Sequence, residues 1–203
     1  MHEKGISEKE LYYLKDVDFL QTRHDIYRKI NGLLLETESA LKQYIAQNEV
    51  TFPEGTKFKA GKIAKGENYQ LLPYFILDYP RLFSRKSIFA LRTMFWWGHY
   101  FSSTFHLYGE ALQQCKPGLL DSIATLYGQE VYLYIKEDDP WEHQVNEENY
   151  RLLDSWDVTS LKEKLGGMEH IKLSSILPLD QWIHLPEFTL TFFKHMYALW
   201  SLD

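Results

Sequence analysis

The amino-acid sequence predicts an α+β fold: a central antiparallel sheet with a long N-terminal helical segment and a C-terminal helix packed on it. Three observations carry this expectation. Apolar residues recur at helical spacing over the first fifty positions, strand-like alternation and aromatic density are concentrated in the middle, and a last helical period runs to the end. Strands clustered between helices lack the strand–helix alternation of a parallel sheet. The expected organisation is one α+β domain over 1–203, with a helical part at 1–50 and the sheet with its helices at 69–203.

Ser7 and Glu10 have the spacing of a capping box and place a first helix start. From Asp18 to Gln47, Ile26, Ile30, Leu34, Leu41 and Ile45 fall on one stripe with Arg23, Lys29, Glu36, Glu38 and Lys42 available for the wet side, so a long amphipathic helix is expected, with Asn31-Gly32 as a point of interruption. Thr51 to Asn68 turns to Gly, Lys and Pro and reads as a loop or a weak edge strand. Leu71 to Tyr79 reads as a strand that ends at Pro73 and Pro80.

Ile88 to Gly109 is the most informative stretch, two strands folded on Gly98-His99. With a two-residue turn, Trp97 faces Tyr100, Thr93 faces Thr104 and Leu91 faces His106. One side then mixes rings with hydrogen-bonding groups, and Arg92 falls on the other, apolar side between Ala90 and Met94, opposite Phe105. A slip of one residue exchanges the two faces.

Pro117-Gly118 suggests a short helix start closed by Gly128, Val131 to Ile135 a strand, and Glu137 to Glu148 an acidic turn. Ser160 to Glu163 offers a second capping box before Gly166-Gly167, Ile171 to Leu177 a last strand, and Pro186 a C-terminal helix carrying Phe188, Phe192, Met196 and Leu199.

A net charge of -6 argues against a duplex nucleic-acid partner, whose affinity comes mainly from Lys and Arg on phosphates. With one cysteine and no long apolar run, the expectation is a soluble cytoplasmic protein without a membrane span. GTKFKAGKI, from Gly55 to Ile63, resembles a phosphate loop only loosely: five residues separate its glycines and no Ser or Thr follows Lys62. The eight histidines contain no i, i+4 pair for zinc, and the acidic turn matches no ion-binding loop, so no metal and no cofactor is expected. Cys115 has no base near it in sequence and reads as structural.

Two function classes remain. The first is a binding or assembly module, acting as a homodimer through the C-terminal helix or the outer sheet face, because Trp141, Trp156, Trp182 and Trp200 fall in loop-like or terminal segments. The second is an enzyme or small-molecule-binding protein with His106 as general acid or base and Arg92 or Arg81 holding a small anionic ligand, alongside Asp78, Trp97, Tyr100 and Thr104. Nothing in the sequence specifies a reaction. A guanidinium stays charged in any core, so Arg92 needs a carboxylate, and Asp78 is the expected partner.

Overall fold

The computed structural model describes residues 5–136 and 139–200. The α+β expectation holds: among the described residues seven strands form one antiparallel sheet in the order β1-β2-β3-β4-β7-β5-β6, with the long helix and the C-terminal helix on one face. The strands are β1 (Lys62–Tyr69), β2 (Leu72–Phe83), β3 (Ser87–Trp96), β4 (Tyr100–Tyr108), β5 (Tyr132–Tyr134), β6 (Tyr150–Leu152) and β7 (His170–Pro178). The helices are α1 (Glu8–Lys15), α2 (Val17–Gln47), α3 (Gly109–Ser122), α4 (Val158–Gly167) and α5 (Leu185–Tyr197).

Ser7 and Glu10 form the full capping box at α1. The next helix, α2, is continuous for 31 residues, with no break at Asn31-Gly32. Its first turns stand clear of the body. Ile30, Leu34, Leu41 and Ile45 are buried, whereas positions before Ile26 are exposed or half-exposed. At about 1.5 Å per residue, the leading six residues of α2, before Arg23 meets Glu67, overhang by roughly 9 Å.

Both prolines in β2 are carried inside the strand, contrary to the expected ends. Pro80 lies in the irregularity between Asp78↔Arg92 and Arg81↔Ala90, where a missing N–H breaks no ladder bond. The chain passes from β4 into α3 at Gly109, whose φ is 61° and where a Cβ would stand 1.9 Å from the Lys86 carbonyl oxygen. Helix α3 therefore begins eight residues before the expected Pro117 and keeps that proline inside, because burial of Ala111, Leu112, Cys115 and Leu119 outweighs the missing bond. The N-cap of α4 is Asp157, which accepts from the Ser160 amide at 2.9 Å; the Ser160 capping box does not form.

The main core lies between the helices and one sheet face, with Phe89, Leu91, Phe95, Phe101, Phe105 and Leu107 pointing into it. Phe192, Phe193 and Met196 enter the same core from the C-terminal helix, and Leu199 from the turn after it. The other face carries a small apolar cluster of Ile76, Met94 and Trp96 at one end and a polar layer at the other.

Candidate functional site

The hairpin register decides what this polar layer contains. Trp96 pairs with Tyr100, Arg92 with Thr104 and Ala90 with His106, so the turn has three residues, Trp97 to His99, with Gly98 at φ 76°. The expected two-residue turn is corrected by one position, and the faces exchange. Arg92 therefore shares a face with Thr104, His106 and Tyr100, while Thr93 joins the core side. Trp97 is on the helical side, against Tyr27 and Phe95, and lines a cleft of about 510 Å³ with Ile30, Phe101 and Trp182; it belongs to no site with His106.

Successive strands continue two rows of this outer face. One row runs Asp78, Arg92, Thr104, Ser174, Tyr132; the next runs Arg81, Ala90, His106, Lys172. Tyr134 and Tyr150 stand opposite each other on β5 and β6 and extend the second row. The segment 139–149, containing neither helix nor strand, lies across both rows; Glu137 and Asp138 of the acidic turn fall outside the described residues.

The expected Asp78–Arg92 pair is present and bidentate, Nε to Oδ1 at 2.7 Å and Nη2 to Oδ2 at 3.0 Å. Its side chains are 15% and 9% exposed, so it is closer to a buried pair than a surface one. The third guanidinium direction, Nη1, meets His143 Nε2 at 2.9 Å. Arg has no acceptor, so His143 Nε2 must accept and its proton sits on Nδ1. Burial, Lys172 and Arg92 all push the His143 imidazole well below its ordinary range, which keeps it neutral.

Lys172 is fully buried on β7. Its ammonium donates to the Glu142 carbonyl oxygen and stands 4.4 Å from the Tyr134 ring centroid and 5.7 Å from that of Tyr150. Burial brings it down from 10.5 to about 7, against the pull of Glu142 and Asp139 and with the push of Arg92. His106, 4% exposed, is lowered from 6.5 to about 3 by burial and by Lys172, His170 and Arg92. Among the described residues its buried Nε2 has no hydrogen-bond partner, nor has Arg81 Nε on the same row.

The other expected site residues hold the layer together. Thr104 bonds Ser174 at 2.8 Å, and the Tyr100 hydroxyl accepts the Val145 amide at 2.7 Å and is pushed up to about 12 by burial. Tyr69 donates to the Glu142 carboxylate and accepts the His143 amide at 2.9 Å. Lys172, His143, Glu142, Tyr69, Tyr134 and Tyr150 escaped the sequence reading. Lys172 gave no signal, because it alternates with the core residues Ile171 and Leu173 and so reads as solvent-facing. His143 and Glu142 offered none, since their loop has no period that fixes which way a side chain faces.

Cys115, the remaining nucleophile candidate, is buried in α3 and its thiol is raised to about 12, so it is an inert core residue. No protein-family model, curated protein or solved structure matches the chain.

Two outcomes test the layer. Asp78→Asn leaves the Arg92 charge buried without its carboxylate and should cost about 3 kcal/mol in chemical denaturation, while Asp78→Asn with Arg92→Met should recover much of that loss. Between pH 7 and 10.5 the unfolded chain binds the Lys172 proton that the folded chain releases, so stability rises with pH across that window. Above about pH 10 the buried tyrosines, Tyr100 among them, reverse the slope because their folded forms retain protons. Denaturation midpoints should show a gain of about 1 kcal/mol or more from pH 7 to 9, and Lys172→Met should flatten it.

Proposed function

We propose that the chain is an assembly module that pairs with a second copy of itself through its N-terminal arm, residues 5–25. One observation carries this reading. Ile6, Leu11, Tyr12, Tyr13, Leu14, Val17, Phe19 and Leu20 are all exposed, from 37% at Leu11 to 70% at Leu14, and α1 buries no residue at all. An apolar run that dense is unusual on a lone soluble surface and ordinary in an interface.

A second copy fits the arm better than an unrelated partner. The strip carries both signs, Glu8, Glu10, Asp16 and Asp18 against Lys9 and Lys15, so an antiparallel two-fold arrangement can set acid against base. The overhang of α2 holds the arm clear of the sheet, anchored by the Arg23–Glu67 ion pair and by Tyr27 on Phe75 at 4.9 Å.

The surfaces expected from sequence are less suitable. Residues 139–149 cover the outer sheet face, and α5 commits Phe192, Phe193 and Met196 to the core. Trp156, Trp182 and Trp200 pack against the core too, leaving only Trp141 of the four tryptophans exposed, at 48%. Among the described residues no helix is long and apolar enough to cross a membrane.

Sedimentation equilibrium at tens of micromolar should give a dimer, and Leu14→Glu with Leu20→Glu should give a monomer. The paired change should leave stability per chain within about 0.5 kcal/mol, because neither residue packs on the body. A wild-type monomer throughout this range contradicts the reading.

A further inference from the structure

On the row Arg81, Ala90, His106, Lys172, the smallest side chain lies between two nitrogen atoms that lack partners among the described residues. Arg81 Nε and His106 Nε2 are each buried with no hydrogen-bond partner there, and they flank Ala90 one strand away on either side. A buried polar nitrogen without a partner is costly; Arg81 Nε is a donor and His106 Nε2 is one in its Nε2–H tautomer, so the two around one small floor residue point to a shared acceptor. What stands above Ala90 is the Trp141 indole, whose ring centroid is 5.9 Å from His106 and 6.1 Å from Phe83, with the Arg92 guanidinium carbon 5.8 Å from it. These three neighbours surround the Ala90 position on the face, so the indole caps it.

We propose that this place is a binding site for a small oxyanion, floored by Ala90, held by Arg81 and His106 with Arg92 and Lys172 beside them, and plugged by Trp141. The open donor favours an anion. Among the described residues Arg81 has no carboxylate partner and its Nε has no acceptor, whereas Arg92 is paired with Asp78, Glu142 accepts from Tyr69 and Asp139 accepts the Trp141 amide at 2.8 Å. An oxyanion supplies acceptors to both lone nitrogens, and His106 meets it as the neutral tautomer with its proton on Nε2. Beside the anion the Lys172 amine, lowered by burial, gains its proton more readily. The indole is half exposed and its ring is held by contacts with other rings and a cation, so an entering ligand displaces it without breaking a hydrogen bond of the ring nitrogen to the sheet. The site does not depend on the dimer.

Binding is measured by thermal shift and by phosphorus NMR line broadening, with inorganic phosphate as probe and chloride at equal ionic strength as reference. Acetate forms a second thermal-shift arm that separates a general oxyanion site from one selective for phosphate. Trp141→Ala removes the plug and should bind phosphate or acetate at least tenfold more tightly than the wild type. Arg81→Gln, at a half-exposed position and with its fold checked by circular dichroism, should abolish this gain in the Trp141→Ala background, as should His106→Gln. Trp141→Ala protein that responds to neither anion overturns the proposal, and so does a response that survives Arg81→Gln, which would place the anion on surface lysines.

Discussion

The outer half of the structure depends on a single constraint: Arg92 lies in the middle of a sheet, largely buried on a covered face, and cannot lose its charge. A neutralisable group in that place would discharge; a guanidinium must be surrounded by acceptors. Asp78 on the neighbouring strand takes two of its donors, and His143 from the covering segment takes a third. The first contact holds two strands at one register. The second ties the covering segment to the sheet and dictates the tautomer of the histidine that makes it.

The neighbouring charges follow from that arrangement. With Arg92 fixed, another cation nearby is disfavoured, so Lys172 and the two histidines beside it lie low in their titration ranges, with burial the larger cause in each case. Tyrosines form the remaining walls because a phenol offers a ring to an ammonium and a hydroxyl to a backbone amide. Tyr134 does the first for Lys172, and Tyr69 and Tyr100 do the second for His143 and Val145. Such a concentration of shifted groups is frequent where proteins bind or react, although structural ion networks produce it as well.

Much of this was legible in the sequence, and the parts that were not have physical reasons. Helical stripes, the Ser7 cap, the central strands and the Asp78–Arg92 pair could be read because each rests on a local period or on the charge of one residue. The hairpin faces could not, since a turn of two or three residues around Gly98 is nearly indistinguishable in sequence and period-two alternation converts that difference into a complete exchange of sides. Pro117 misled because propensity yields to burial in a helix with four core residues. The exposure of the arm could not be read, because amphipathic spacing tells which face is apolar, but not whether anything lies against it. The segment 139–149 was opaque for the opposite reason, having no period at all.

The most direct test of the central constraint is the protonation of His143, followed by nitrogen-15 NMR of the imidazole in a protein labelled at histidine, with His143→Gln identifying the signal. Arg92 as donor requires a neutral ring with its proton on Nδ1, persisting at pH 6 and below because burial and two neighbouring cations oppose the imidazolium. A proton on Nε2, or an imidazolium signal already dominant at pH 6, would contradict the account.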